Sequence, residues 1–326
     1  MRAIELSYKE NQPILELTKD AALPERTSNQ LLIKVEAAAI NRTDLVAIDT
    51  GKLPKGNTIL GVEVSGTVVE SDSDAFPCGS RVMGLVNGGG YAEYAVMSLG
   101  NAMLLSDQLT FVEGAAIPEV FLTAYQTLFW LGELGPNQSV LIHAGASGVG
   151  SAAIQLVKQL TSAKIFVTAG SADKLELCRS LGADVVINYH DEDFSKRVLT
   201  ETAGQGVDVI LDFIGASYWE KNLASIAYDG RLILIGILGG TIIKELNLMD
   251  LLEKRIAIKG TLLTPRSDSY KAKLTKEFSD KTTSLFETGY LKPVVDTVFS
   301  LEDVENAHQY MRSNKNKGKI ILKIND

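Results

Sequence analysis

The stretch SVLIHAGASGVGSAAIQLVKQL, residues 139–160, decides the fold class of this chain. It begins with an apolar run, passes through a loop with glycines at 145, 148 and 150, and ends in apolar residues at helical spacing. A strand that runs through such a turn into a helix presents free backbone N–H groups at the helix N-terminus, where phosphate binds favourably. The stretch therefore predicts the first βα unit of a dinucleotide-binding domain.

Further βα units follow this stretch. The apolar runs KIFVTAG, DVVIN, VDVILDFIG, RLILIG and IAIKGTLL alternate with helical patterns up to residue 263. Continuous runs of Val, Ile and Leu indicate a parallel sheet with helices on both faces. Shorter alternating strands, such as LLIKVEAAAI and VSGTVVE, precede them. The predicted fold class is α/β, with a doubly wound Rossmann domain at 123–261 inserted into a β-rich domain formed by 1–122 and 262–326.

The bulk composition excludes several classes of protein. The 326 residues include only two cysteines, too few for a disulfide framework or a four-cysteine zinc lobe. The net charge of −8 argues against a general nucleic-acid-binding surface. No apolar run approaches the 18 residues that a membrane span needs, and the N-terminus lacks a secretory or transit pattern. We expect a cytoplasmic protein with no membrane partner, and the acidic charge disfavours a nucleic-acid partner without excluding one.

The glycine loop does not fit the dinucleotide fingerprint in a single register. Read from Gly145, serine 147 takes the second glycine place and Gly150 the third; read from Gly148, the pattern begins one turn later. A tight βα turn without a ligand is the alternative interpretation. The strand before the loop, the helix after it and the repeated βα units favour cofactor binding.

The end of the second predicted strand distinguishes NAD from NADP. An NAD site usually carries an acid there, whereas this chain has TAGS at 168–171 and then Lys174. A hydroxyl and a cation one helical turn apart suit the 2′-phosphate of NADP. Alternatively, Ser171 is only the N-cap of a helix that Gly182 ends, and Lys174 is a surface lysine. Beside a phosphate loop, NADPH is the favoured cofactor.

The chain resembles the zinc-independent quinone oxidoreductases of the medium-chain dehydrogenase/reductase superfamily, the group that includes zeta-crystallin, and in particular its tumour-suppressor-inducible subgroup. The matching segments run almost from end to end: AAAINRTDL, ILGVEVSG, AAIPEVFLTAY, VLIHAGASGVGSAAIQL, VTAGSADKL, LDFIGASYWEKN and SNKNKGKIIL. The resemblance implies a GroES-like β domain, a Rossmann domain, an NADPH-filled cleft between them and a homodimer.

The resemblance also implies which residues bind the cofactor. The nicotinamide contacts are Asn41 and Thr123. The other implied contacts are Ser147, Gly148 and Val149 in the pyrophosphate loop, Gly170, Ser171, Lys174 and Tyr189 at the 2′-phosphate, and Gly215, Ala216, Gly236, Ile237, Leu238, Leu262 and Leu263 along the ribose and nicotinamide. As alternatives, Gly236 only ends a strand, and Tyr189 is a half-buried tyrosine in a turn.

A catalytic zinc is not expected. Asn41 stands where zinc alcohol dehydrogenases have a cysteine ligand, and Val62 replaces the histidine of their G-H-E motif. The histidines are widely separated, and none pairs with a cysteine at ligand spacing: His143, His190 and His308. His143, at the end of a buried strand, is expected to be a core or loop residue.

The implied reaction is reduction of a quinone by NADPH in the interdomain cleft. We hypothesise that Asn41 and Thr123 hydrogen-bond the carboxamide or a developing oxyanion, with Ser147 as a third candidate catalytic group. An NADPH-dependent alkenal or enoyl reductase is one alternative, and a low-turnover NADPH-binding protein with a structural or RNA-binding role is another. Leu53 precedes Pro54 where many relatives carry a tyrosine, which argues against an enoyl-thioester enzyme.

Overall fold

Two units make up the structure, a computed structural model that describes residues 1–10, 12–53 and 57–325. One unit combines Met1–Leu122 with Leu263–Asp326, and the other is Thr123–Leu262. The first unit is rich in strands, and the second carries a parallel sheet with helices. The predicted α/β fold class is confirmed.

The first unit begins with short strands and helices. In chain order they are β1 (Ala3–Lys9), β2 (Gln12–Thr18), β3 (Gln30–Ile40), α1 (Arg42–Thr50), β4 (Glu63–Glu70), β5 (Arg81–Leu85), β6 (Tyr94–Ser98), β7 (Ala102–Leu104), α2 (Phe111–Ala115) and α3 (Pro118–Tyr125). Helix α3 crosses the boundary at residue 122 and continues as a π-helical segment, Gln126–Leu131. That segment was not predicted.

The second unit alternates strands with helices. Its elements are β8 (Ser139–Ile142), α4 (Gly148–Leu160), β9 (Lys164–Ala169), α5 (Ala172–Ser180), β10 (Val185–Asn188), α6 (Phe194–Glu201), β11 (Val207–Asp212), α7 (Trp219–Ser225), β12 (Ile226–Leu234), α8 (Leu248–Lys254) and β13 (Ala257–Gly260). The chain then returns to the first unit with α9 (Asp268–Glu287), β14 (Val295–Ser300), α10 (Val304–Arg312) and β15 (Lys319–Lys323).

The sheet of the second unit is parallel, in the order β10-β9-β8-β11-β12-β13. Val140, Leu141 and Ile142 of the central strand β8 are fully buried, as expected for a strand covered on both faces. Its two neighbours, β9 and β11, lie on opposite sides, so the order reverses beside β8. In such sheets the crevice at the carboxyl ends of the strands, where the order reverses, is the usual ligand site. The residues that follow β8, β9, β11 and β12 therefore share one edge.

The sheet of the first unit joins distant parts of the sequence. Its order is β14-β15-β3-β4-β5-β7, with β6 also paired to β3. Strand β15 pairs antiparallel with β3, with Ile320 opposite Ile40. Both of these side chains are buried in one apolar cluster. The pairing brings Lys319, the first residue of β15, beside the residue that follows β3, which is Asn41.

The residues that precede two helices of the second unit set where they begin. Helix α6 begins at Phe194, because Asp193 is the N-cap and accepts from the backbone N–H of Ser195. Helix α7 starts at Trp219, directly after a 3₁₀ turn at Ala216–Tyr218. Gly182 does follow α5 with a φ of +113°. No helix within the described residues is long and apolar enough to cross a bilayer.

Candidate functional site

The loop between β8 and α4 is shaped by tight packing. A Cβ atom on Gly145 would clash with Val167 on β9, and one on Gly150 would clash with the carbonyl oxygen of Ala144. These glycines are therefore required for space. The left-handed backbone of the loop falls on Ala144, with a φ of +49°. These contacts pack one side of the loop against the sheet, and a ligand can bind on the other side.

Ser147 has a definite structural role. It is the N-cap of α4, and its Oγ accepts from the backbone N–H of Gly150 at 3.1 Å. Within the described part of the chain, the N–H groups of Gly148 and Val149 have no protein partner. Both residues are partly exposed, at the positive end of the helix dipole. The start of α4 can therefore bind an anion, as the glycine loop predicts.

The predicted 2′-phosphate residues follow two neighbouring strands: Gly170, Ser171 and Lys174 come after β9, and Tyr189 comes after β10. Gly170 lies so close to the Tyr189 ring that a Cβ atom would clash with the phenol oxygen. The Ser171 hydroxyl donates to the Asp173 carboxylate, and Lys174 lies in the first turn of α5. Ser171 is at the N-cap position, but its side chain forms no capping hydrogen bond.

His190 was not predicted to belong to this pocket. Its ring lies 4.4 Å from the ring of Tyr189, measured between centroids, and both side chains are exposed. Its Nε2 would be 3.2 Å from a Cβ atom on Gly170. The only signal in the sequence is that His190 follows Tyr189 directly.

A second pair of loops lies on the same edge of the sheet. Gly215 has a φ of +82°, and the neighbouring Ala216 N–H donates to the carbonyl of Gly240 at 3.1 Å. Gly236 lies against Phe213, which excludes a larger residue there. These contacts hold the exposed side chains of Ile237 and Leu238 at the edge. The predicted lining residues of the second unit therefore share the edge with the α4 loop.

A chain of hydrogen bonds between buried polar side chains connects β9, α7 and β11 near this edge. The His143 Nδ1 lies 2.9 Å from Thr168 Oγ1, and its Nε2 lies 2.8 Å from Asn222 Oδ1. The Asn222 amide donates to Asp212 Oδ2 at 3.0 Å, which leaves its oxygen to accept from the histidine. Asp212 also accepts from the backbone of Gly215 at 3.1 Å. His143 is thus a neutral core residue, as expected, and burial lowers its pKa to about 4.

Asn41 is held by three groups in the first unit. Its Nδ2 donates to Glu63 Oε1 at 2.8 Å and to the carbonyl of Ala39 at 3.2 Å. Its Oδ1 accepts from Lys319 Nζ at 2.7 Å. Both amide donors are therefore used inside the protein. The group that Asn41 offers to a ligand is its oxygen, which accepts a hydrogen bond from a carboxamide but does not stabilise an oxyanion.

Lys319 and Glu63 form a buried ion pair next to Asn41. The two side chains are 4% and 0% exposed. The Lys319 ammonium also lies 3.3 Å from the carbonyl of Ile40, so acceptors surround it. The other oxygen of Glu63 accepts from the backbone N–H of Glu119 at 2.8 Å. This pair was not predicted, and its only sequence signals are a charged residue at the start of each of two apolar strands.

A second buried acid fixes the start of α1. The Asp44 carboxylate accepts from Asn41 N at 2.8 Å, from Gly61 N at 3.2 Å and from the Tyr91 hydroxyl at 2.9 Å. Burial raises the pKa of Asp44 to about 6. The Tyr91 oxygen lies 3.4 Å from Nε2 of the buried His308. None of these contacts was predicted: Gly61, Tyr91 and His308 are distant from Asp44 in sequence, whereas Asn41 lies three residues before it, at the N-cap.

Thr123, Leu262 and Leu263 lie where the chain passes from one unit to the other. Thr123 is 6% exposed and lies on α3. Leu262 is 65% exposed, whereas Leu263 is 3% exposed. Leu53 packs against the apolar core of the first unit, and Pro54 lies outside the described residues.

Two positions where zinc alcohol dehydrogenases carry Cys and His, residues 41 and 62, hold side chains that do not suit zinc. Asn41 presents an amide, and Val62 is a buried aliphatic residue; the neighbouring Glu63 is paired with Lys319. Zinc prefers thiolate, imidazole and carboxylate ligands in a tetrahedral set. In residues 1–10, 12–53 and 57–325, no group of three or more His, Cys, Asp or Glu side chains is arranged to share a metal ion.

Comparisons with known proteins match both units. A family model described as a zinc-binding dehydrogenase matches residues 148–313, and one described as an alcohol dehydrogenase GroES-like domain matches residues 27–107. The quinone oxidoreductase of Lama guanicoe is 31% identical over 99% of this chain and 97% of its own length.

Two solved structures resemble the whole chain. The Escherichia coli quinone oxidoreductase complexed with NADPH is 26% identical, with a TM-score of 0.87, and the match covers 99% of this chain and 100% of that one. The CurK enoyl reductase is 27% identical, with a TM-score of 0.82, and the match covers 99% of both chains. The predicted family resemblance is confirmed.

Proposed function

Because the chain belongs to the quinone oxidoreductase family of the medium-chain dehydrogenase/reductase superfamily, we propose that this oxidoreductase is an NADPH-dependent quinone reductase that works without zinc. One observation carries the choice of cofactor: the end of β9 has TAGS in place of an acid. The open N–H groups of Gly148 and Val149 at the start of α4 suit the pyrophosphate of either dinucleotide. The NADPH in the Escherichia coli relative supports the same choice.

Different residues of the second unit bind different parts of the cofactor. The start of α4 binds the pyrophosphate, with Ser147 as the cap that orders the loop. Ser171, Lys174 and Tyr189 bind the 2′-phosphate. Gly215 and the segment 236–238 line the ribose and nicotinamide.

Asn41 and Thr123 are the proposed contacts of the nicotinamide. The Asn41 oxygen accepts from the carboxamide, and the Lys319–Glu63 pair holds the amide in the orientation that this needs. When bound, the nicotinamide supplies the hydride, so the protein has to orient the acceptor and exclude water. A metal is not required for these tasks. The buried Lys319 ammonium already supplies the positive charge beside Glu63.

An alkenal or enoyl reductase is the second candidate. The likeness to the CurK enoyl reductase favours it, because that protein covers the whole chain at a TM-score of 0.82. Against it, the residue before Pro54 is Leu53, which offers no proton and packs on the core. A low-turnover NADPH-binding protein is the third candidate.

The test is an acceptor panel with purified protein. NADPH oxidation is followed with a naphthoquinone, an alkenal and an enoyl thioester, and a spin trap reports one-electron products. We expect the highest kcat/KM with the quinone. A preference for the alkenal or the thioester would replace the proposal with the second candidate, and tight NADPH binding without turnover of any acceptor would favour the third.

We also propose a homodimer, formed through the second unit. Strand β13 is the last strand in the order of its sheet, and the segment before it exposes several large apolar side chains. They are Ile242, Ile243, Leu246, Leu248, Met249 and Leu252. An exposed apolar surface of this kind is typical of a protein interface.

A cytoplasmic location is proposed as well, and the free thiols of Cys78 and Cys178 are consistent with it.

A further inference from the structure

Reduction of a conjugated carbonyl needs a proton as well as a hydride, and the Asn41 amide is not an acid that can supply it. We propose that Glu119 donates this proton to the acceptor. The inference rests on the proposed function, because it concerns the same acceptor and the same nicotinamide. It holds for a quinone and for a conjugated double bond alike, since both take up one hydride and one proton.

The position of Glu119 on α3 is the first argument. It is the second residue of α3 and lies four residues before Thr123, so the two side chains share one face of the helix. Its backbone N–H donates to Glu63 Oε2 at 2.8 Å. The other oxygen of Glu63 accepts from Asn41 at 2.8 Å. A single carboxylate thus ties Glu119 to Asn41, and α3 ties it to Thr123, the two proposed nicotinamide contacts.

The accessibility of Glu119 is the second argument. The neighbouring acids Glu63 and Asp44 are 0% and 1% exposed and are fully occupied by hydrogen bonds. Glu119 is half-buried, and in the described part of the chain no cation lies within ion-pair distance of its carboxyl. Of these three acids, Glu119 is the one that keeps part of its surface exposed.

The charges around Glu119 come from four elements. Glu63 on β4 and Asp44 on α1 disfavour a further negative charge, whereas Lys319 on β15 and Lys271 on α9 favour it. Lys319 is paired with Glu63, and Lys271 donates to Asn87 Oδ1 at 2.8 Å. Burial, followed by repulsion from Glu63, raises the pKa of Glu119 to about 8. The carboxyl is therefore protonated at neutral pH, as a general acid must be.

The step balances in atoms and charge. The acceptor gains two electrons and a hydrogen from the nicotinamide and a proton from Glu119. The O–H bond of the Glu119 carboxyl breaks, and an O–H bond of a quinone product, or a C–H bond of a reduced double bond, forms. NADPH is oxidised to NADP⁺, and water returns a proton to the Glu119 carboxylate.

The variants are Glu119→Gln, Glu119→Asp and the control Glu305→Gln. Glu305 is an exposed glutamate of the same unit, on α10. We expect Glu119→Gln to lower kcat on the order of 100-fold, while the dissociation constant of NADPH stays unchanged. Glu119→Asp should keep part of the activity, and Glu305→Gln should keep all of it. The wild-type rate should fall above about pH 8, and this fall should be absent in Glu119→Gln.

A second measurement needs no acceptor and no cofactor. The carboxyl carbon of Glu119, assigned by its loss in Glu119→Gln, is titrated by ¹³C NMR in the free protein. A midpoint well above that of an ordinary glutamate, near 8, is expected. A midpoint near the ordinary value, or a glutamine variant with the kcat and pH profile of the wild type, would overturn the role of Glu119.

The experiments distinguish a failure of the proposed quinone-reductase function from a failure of the proton-donor role of Glu119. If the wild type reduces only an alkenal or an enoyl thioester, quinone specificity is wrong, and the same variants test Glu119 with that acceptor. If the wild type reduces no acceptor, both ideas are wrong. If the wild type releases one-electron products at a rate that Glu119→Gln leaves unchanged, the proton-donor role alone is wrong.

Discussion

Lys174 lies in the first turn of α5, beside the Ser171 hydroxyl that precedes the helix. If this ammonium binds the 2′-phosphate, Lys174→Ala removes a charge-assisted hydrogen bond and should raise the dissociation constant of NADPH about tenfold or more. The dissociation constant of NADH should barely change, because NADH lacks that phosphate. Calorimetry with both cofactors measures this, with Lys196→Ala, an exposed lysine of the same unit, as the control. Equal effects on NADH and NADPH would contradict the assignment.

The buried histidines predict how stability depends on pH. Burial lowers the pKa of His143 and of His308 to about 4, below the ordinary value. Through each of these histidines the folded state binds fewer protons than the unfolded state, so the contribution of that histidine to stability is lost as the pH falls from about 6.5 toward 4. The raised pKa values of Asp44 and Glu119 act in the opposite sense, so the comparison is between variant and wild type. Each histidine contributes at most about 3 kcal/mol. Between about pH 6.5 and pH 4 the melting temperatures of His143→Gln and His308→Gln should each fall less, or rise more, than that of the wild type. Variants whose melting temperatures follow the wild-type profile would refute the argument.

At the scale of an element, the start of α4 depends on one hydroxyl. Ser147 caps the helix through the N–H of Gly150. Ser147→Ala should lower the free energy of unfolding by about 1 kcal/mol, whereas Ser147→Gly should cost only a few tenths of that. Urea denaturation measures both. The kcat of the glycine variant then separates two roles: a normal value leaves Ser147 as a cap, and a large loss would make it a catalytic group.

At the same scale, the sequence predicts those parts of the fold and the site whose residues are close together along the chain. The strand-loop-helix unit from β8 to α4 shows its pattern within about twenty consecutive residues, because apolar runs, glycines and helical spacing are local signals. The cluster around Asn41 shows no such local pattern. Its partner Glu63 is 22 residues away and Lys319 is 278 residues away, and the contact arises only when β15 pairs with β3. A lysine in a strand is usually exposed, so nothing local marks this one as buried.

The pocket after β9 shows an intermediate case. Gly170 and Ser171 are recognisable because they follow a predicted strand directly. Tyr189 required the family resemblance, since it lies beyond the next strand. His190 was missed, because an exposed histidine in a turn carries no local pattern.

At the scale of the whole molecule, the exposed apolar segment before β13 predicts self-association. Leu252 on α8 is 69% exposed, and Leu252→Glu should convert the proposed dimer into a monomer. Light scattering after size exclusion measures the mass. Leu104→Glu, at a residue that is 59% exposed in the first unit, is the matched control and should leave the mass unchanged. A monomeric wild type, or a dimeric Leu252→Glu variant, would remove this surface from consideration.

The ion pair of Lys319 with Glu63 has a consequence for protein synthesis. The two residues are separated by 256 positions. In the folded protein the Glu63 carboxylate is fully buried, where it needs the opposite charge of Lys319. On the ribosome Glu63 emerges first, and at about 5–20 residues per second its counter-charge follows only after about 10 to 50 seconds. During that interval the β-rich unit is incomplete, while residues 123–262 are already available to fold. The order of translation therefore favours the Rossmann unit as the first part of the nascent chain to resist proteolysis.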